Sequence, residues 1–448
     1  MFRSFSHTSF PRHLVALTVV CLSSIDAWAS FAGDAPEVVL QQSATGPQTD
    51  HQVISLSDAV SAALVRNPEL AGYALEARAR EAEAIQAAAR PNPELRGAVE
   101  NVGGSGQREG TEAAETTLLL SQLIELGGKR MERRRVASLR GELAGFDYDA
   151  KRLAVLSDTT KAFVTTLAAQ ERARLSENLE RVADDAVNAA ERRVRAGASA
   201  PAEGLRARVV RGRAALEHAR AAKELDAARQ ALAAMWGDRE AGFERVAGAL
   251  DRMEALPSKD DLVAALDRNP EIARWTKEHA ARRADLALER ARRVPDVTVA
   301  AGGRYFSDSE DAAMVFEFGL PLPLFDRNKG AIAAAERRLE KAALDQAGAA
   351  AAAHAALSAA YGRLVAAHEQ AVTIRERVLP DAEAASHAAR DALRSGLFHA
   401  LDVLDAERTL FEVRMEHVRA LEDFHLAAAD VERLTAQPLS ALGKVCVQ

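Results

Sequence analysis

The chain has 448 residues, of which 48% are hydrophobic and 27% charged, so it can bury a substantial core and is not a disordered polymer. Its formal charge of −7 gives no support for general nucleic-acid binding, and 5% aromatic residues favour long, closely packed helices over a mixed enzyme core. Outside the N-terminus no apolar run approaches ~18 residues, which argues against a helical membrane span but leaves a β-barrel span open.

Residues 1–29 read as a secretory signal. Arg3, Arg12 and His13 precede the apolar stretch from Leu14 to Leu22, and Ala27-Trp28-Ala29 supplies the small residues a signal peptidase needs. Val20 stands before Cys21 where a lipid-acceptor site wants a small residue, so Cys21 belongs to the discarded segment and lipidation is not expected. The mature chain then keeps only Cys446, which leaves no intrachain disulfide in an oxidising destination. Residues 30–53 form a linker.

Two repeats follow, at 54–250 and 251–442, with a short tail at 443–448. In the first, a helix runs from about Ser55 to Arg90, with Ser55 or Ser57 as its cap and Asn67-Pro68 as an interruption. Pro91 and Pro93 stop it. Strand-like segments come next at about 94–102 and 114–126, joined by Gly103-Gly104-Ser105-Gly106. No proline interrupts Lys129 to Arg195, a helix of about 100 Å if continuous. Leu139, Leu143, Phe146, Ala150 and Leu153 have coiled-coil spacing on it. Gly197 ends this helix, and Ser199 and Pro201 start its antiparallel partner, with the hairpin turn at about 196–200.

The second repeat uses the same grammar about 200 residues later. Asn269-Pro270 answers Asn67-Pro68, Pro295-Asp296-Val297 answers Pro93-Glu94-Leu95, Lys329 answers Lys129, and Arg394-Ser395-Gly396 answers Arg195-Ala196-Gly197. Its leading helix spans about Lys259 to Arg293. Its strands lie at about 296–306 and 312–320, and Met314, Phe316, Phe318 and Leu320 alternate with Glu317 and Gly319 as in a strand with one greasy face. A long helix runs from Gly330 through Pro380 to a turn at about 395–399, and the return helix carries Phe411, Met415 and Val418.

Four strands cannot span a membrane alone, because their outer edges would leave backbone groups unpaired in lipid. Closure needs about eight strands or more, so either several copies share one barrel, twelve-stranded for three copies, or the chain is a soluble coiled-coil rod with two ordinary hairpins.

The chain resembles the TolC-type outer membrane factors, in particular the cobalt–zinc–cadmium (CzcC-like) efflux branch. The resemblance covers roughly Ile54 to Leu442. Its carriers are Leu56-Ser57-Asp58-Ala59-Val60, Asn67-Pro68, Pro91-Asn92-Pro93-Glu94-Leu95 with Glu100-Asn101, Ser121 to Arg130, Pro321 to Gly330, and Leu401-Asp402-Val403-Leu404-Asp405-Ala406. It implies a mainly α fold with a membrane β-barrel portion: a homotrimer with a twelve-stranded barrel in outer membrane lipid and a periplasmic α-helical barrel. It further implies an exit duct for divalent metal cations that docks a periplasmic adaptor (membrane fusion) protein and an inner-membrane resistance–nodulation–division pump, with no cofactor and no chemistry of its own. The alternatives are the same duct carrying organic drugs or secreted proteins, and a periplasmic coiled-coil scaffold without a pore.

Asp402 and Asp405 lie three apart and so share a helix face. Such a pair is either an ordinary solvated helix face or, as the resemblance implies, a periplasmic gate, where threefold symmetry would bring six carboxylates to one aperture. The adaptor-contact turns it implies comprise Arg195, Gly197, Ser199, Pro201 and Glu203, and Arg394, Gly396 and Leu397. The chain departs from the family at Ala200, where Ser is common, and at Gly204.

Gly127-Gly128-Lys129-Arg130 lacks the spacing and the Ser/Thr of a phosphate loop and reads as a strand-to-helix hinge. The basic run Lys129, Arg130, Arg133, Arg134 and Arg135 fits lipid head groups or a solvated face equally well. The 11 histidines are scattered, His399 near a tip among them, and form no metal-ligand cluster. No nucleophile–base pair stands out, so an enzyme is not expected.

Overall fold

The computed structural model describes residues 53–395 and 397–442. The expected signal peptide with Cys21, the linker up to residue 52, Gly396, and the tail with Cys446 lie outside the described residues.

Strand β1 (Val53–Ser55) hands over directly to helix α1 (Leu56–Arg66). Ser55, not Ser57, is the cap: the Asp58 N–H donates to the Ser55 hydroxyl at 3.3 Å, and the Ser55 N–H donates to the Asp58 carboxylate at 3.0 Å. Helix α1 ends at Asn67, and Pro68 opens α2 (Pro68–Ala87) at a position where its missing N–H costs nothing. The Asn67 side-chain carbonyl accepts from the Leu70 N–H at 2.9 Å, while its amide donates to Met235 O at 2.7 Å.

The second repeat does the same. Asn269 separates α5 (Lys259–Leu266) from α6 (Pro270–Ala291), accepts from the Glu271 N–H at 2.8 Å, and donates to Arg433 O and Leu434 O at 3.0 Å. Each Asn-Pro pair therefore breaks one helix, caps the next, and ties it to the end of the return helix of its own repeat.

The strands are β2 (Glu94–Glu100), β3 (Glu115–Ile124), β5 (Val297–Phe306) and β6 (Ala312–Gly319), in one antiparallel sheet ordered β2-β3-β5-β6. The β3–β5 ladder joins the two repeats, from Glu115 opposite Phe306 to Ile124 opposite Val297. The outer edges of β2 and β6 have no strand partner among the described residues. A separate parallel pair joins β1 to β4 (Arg245–Ala247), held by Gln170, which accepts from the Val246 N–H at 3.2 Å and donates to Val246 O at 3.3 Å.

Helix α3 (Lys129–Arg195) is one uninterrupted run of 67 residues, about 100 Å long. Helix α4 (Pro201–Ala234) returns along it. The fully buried positions of α3 are mostly small, among them Ala168, Ala169, Ala183 and Ala190, so neighbouring helices approach closely. Two buried hydroxyls are satisfied across helices, Ser157 donating to Ala429 O and Thr166 to Ala228 O. The spaced residues Leu139, Leu143, Phe146, Ala150 and Leu153 are half-buried. The fully buried anchors are instead Val136, Ala144, Val155 and Phe163, because α2, α4, α6 and α9 pack on α3 from several sides.

Helix α7 (Lys329–Thr373) passes through a π-turn, Ile374–Val378, into α8 (Leu379–Arg394). The cause is Pro380: it has no N–H for the carbonyl four residues back and its ring needs room, which a widened turn supplies. Helix α9 (Ala400–Thr435) returns and buries Phe424, Val431 and Leu434 against Leu357 and Leu364 of α7 and Leu262 of α5; α10 (Leu439–Leu442) follows it.

Candidate functional site

Three regions are built by this fold. The first is the sheet. Its register puts Leu95, Val99, Leu118, Leu120, Val299, Tyr305, Met314, Phe316 and Phe318 on one face, all exposed, with Phe316 at 76%. The other face carries Glu94, Arg96, Glu100, Glu115, Thr117, Ser121, Arg304 and Glu317. Arg304 is the hub there: it donates to the Thr117 hydroxyl and the Glu115 carboxylate, both at 2.9 Å, and lies 3.5 Å from Glu100. Nothing in the sequence pattern singled out Arg304, since its partners all come from the other repeat. No helix among the described residues is long and apolar enough to cross a membrane.

The second region is the junction between strands and long helices. Lys129 pairs with Asp296 at 2.7 Å, and the Leu126 N–H donates to the same carboxylate at 2.9 Å. Gly128 (φ +76°) and Asn328 (φ +55°) take the left-handed conformation before the two long helices. The basic run resolves into parts. Arg130 donates to Ala88 O, and Arg133 to Ala87 O, Ala89 O and Glu125, so these two close the C-terminus of α2. Arg134 and Arg135 line a shallow surface recess with Met131 and Glu142.

The third region lies at the far ends of the long helices. Gly197 (φ +71°) forms a two-bond cap on α3: its N–H donates to Val194 O at 3.0 Å, and the Ala198 N–H to Arg193 O at 2.9 Å. Arg193 reaches the Ser199 hydroxyl at 3.0 Å, Pro201 is the first residue of α4, and Arg195 is exposed. Glu203 keeps one carboxylate oxygen buried without a hydrogen-bond partner. A Cβ on Gly204 would meet Val194 at 3.8 Å, ordinary contact, so this glycine has no steric requirement there. The second turn differs in character. Arg394 pairs with Asp391 on its own helix, while Leu397 and Phe398 stand exposed.

Asp402 and Asp405 are both exposed, because the residues between them, Val403 and Leu404, are buried, Leu404 against Ala183, Ala186 and Ala214 of the α3–α4 hairpin. Asp402 also caps α9 locally, since its carboxylate accepts from the His399 N–H at 2.7 Å. Further along α9, Glu407, 8% exposed, accepts from Ser386 at 2.5 Å and pairs with Arg390 at 2.6 Å, which pins α8 to α9. Next to the π-turn, burial and then the Arg375 charge hold the His417 imidazole below its usual pKa, opposed by Asp251. No group of three His, Cys, Asp or Glu side chains among the described residues could hold a metal ion.

A sequence model described as outer membrane efflux protein matches residues 59–238 and again 262–437. The chain belongs to the outer membrane efflux protein family. The chain is 34% identical to the cobalt-zinc-cadmium resistance protein CzcC of Cupriavidus metallidurans, over 94% of this chain and 98% of that one. It is 27% identical to the nickel-cobalt-cadmium resistance protein NccC of Alcaligenes xylosoxydans xylosoxydans, over 68% and 69%. The crystal structure of the Campylobacter jejuni CmeC outer membrane channel superposes with a TM-score of 0.71 at 15% identity, covering 85% of each chain, which gives the fold. Family membership places the protein in outer membrane efflux.

Proposed function

We propose that three copies close their sheets into one twelve-stranded barrel in the outer membrane and their long helices into a periplasmic tube. The assembly is a passive exit duct for divalent heavy-metal cations, driven by a resistance–nodulation–division pump through a periplasmic adaptor. The observation that carries this reading is the sheet: one face exposes a broad apolar surface, the other carries the charged side chains, and neither edge has a strand partner among the described residues. Lipid fits the first face, a water-filled lumen the second, and further copies the edges. The metal cargo is supported by the relatives' names, CzcC above all. The adaptor reads the two turns, at Arg195, Gly197, Ser199, Pro201 and Glu203 and at Arg394, Gly396 and Leu397. Asp402 and Asp405 form the periplasmic gate, and export through the signal peptide without a lipid anchor delivers the chain.

Deletion of the gene tests the cargo. The deletion strain should lose tolerance to cobalt, zinc or cadmium, regain it with the wild-type gene, and keep its tolerance to organic drugs. Sensitivity to drugs with unchanged metal tolerance would replace the metal reading with a drug duct.

A further inference from the structure

The internal duplication supplies a template for a contact that a single chain cannot make. Within the chain, repeat one meets repeat two along a seam between α3 and α6, where Ala284 and Leu288 are buried against Val136 and Leu139. At the strand end of this seam Lys129, the first residue of α3, pairs with Asp296, the residue before β5, both largely buried. The counterparts about 200 residues away are Lys329, the first residue of α7, and Glu94, the first residue of β2. Both counterparts keep the sign of their charge, and Lys329 follows a left-handed residue just as Lys129 does.

These counterparts sit on the two margins of the sheet and helix layer that lack a strand partner among the described residues, and both are exposed. Lys329 has no ion-pair partner among the described residues. Among the described residues the Glu94 carboxylate has one ion-pair partner, Arg96, two residues along its own strand, in an exposed pair of little strength. The helix faces agree: Ala82 and Gln86 of α2, the counterparts of buried Ala284 and Leu288, are exposed.

We infer that Lys329 of one copy pairs with Glu94 of the next, repeating the Lys129–Asp296 junction between copies of this chain. The inference rests on the shared-barrel reading and names the contact that sets which edge meets which. It is confined to the junction. Glu340 and Glu83, the counterparts of the Arg140–Asp285 pair, carry like charges and are already satisfied on their own helices by Arg337 and Arg80.

The test uses the full-length protein with Cys446→Ser, extracted from outer membranes. With Lys329→Cys and Glu94→Cys together, a short bis-maleimide should give a ladder of two- and three-chain bands, absent from either single variant and from the parent. Separately, Lys329→Glu or Glu94→Lys should each lower the surviving oligomer under a fixed detergent challenge by about tenfold, and the double reversal should restore it. A three-chain native mass with no ladder and no rescue would overturn the pairing while leaving the shared barrel standing. A single-chain native mass would overturn both.

Discussion

Valine in place of Gly302 is expected to abolish the membrane-assembled form. Gly302 lies in β5 opposite Leu119 of β3, in the ladder that joins the two repeats. A Cβ there would stand 1.9 Å from the Leu118 carbonyl oxygen and 2.8 Å from the Leu118 carbonyl carbon and the Leu119 Cα. All three are backbone atoms, so no rotamer change relieves the clash and the strands must part. Parting them leaves two hairpins, each marginal alone, and exposes backbone groups to lipid at several kcal/mol each. The neighbouring Gly303 is the control, because its Cβ would meet Ala313 O at 3.8 Å and Gly303→Ala should assemble normally. Outer membrane fractions read by detergent-resistant oligomer should show almost none for Gly302→Val and wild-type amounts for Gly303→Ala. Wild-type assembly of Gly302→Val would show that β3 and β5 are not paired in this register.

The second large effect is expected at the far end of the tube. Asp402→Asn with Asp405→Asn removes six negative charges from the proposed aperture of a trimer while keeping the shape of both side chains. The amide form at 402 still accepts from the His399 N–H, so the cap on α9 is retained, which alanine would sacrifice at about 1 kcal/mol. A narrow opening ringed by one sign of charge concentrates counter-ions by 10-fold or more, on the order of 10–10³. In planar bilayers the double variant should therefore show a raised resting conductance and a cation-over-anion preference about tenfold lower than wild type. An intact oligomer with unchanged low conductance and unchanged preference would remove these residues from the gate.

The helices and strands were legible because their signals are local. Proline and glycine punctuate both repeats, and the alternation of Met314, Phe316 and Phe318 gives the face of β6 directly. The duplication carried the topology, since Asn67 and Asn269 each cap the helix that follows and donate to carbonyls at the end of the return helix of their own repeat. What the sequence hid depends on distant partners. Strand β4 is three residues long and owes its place to Gln170, 76 positions away. The π-turn needs the whole of α7 and α8 to be helical before Pro380 can demand it. Arg304 becomes a hub only when strands from different repeats lie side by side. The spacing of Asp402 and Asp405 places them on one helix face, and the Asp402 carboxylate is also committed to the helix start, which spacing alone does not reveal.

One chain, on this reading, is an incomplete pore. Native mass spectrometry of the detergent-extracted outer membrane particle decides the matter. A mass of three mature chains is expected. A particle of one chain, released without detergent and stable in buffer, would refute the shared barrel.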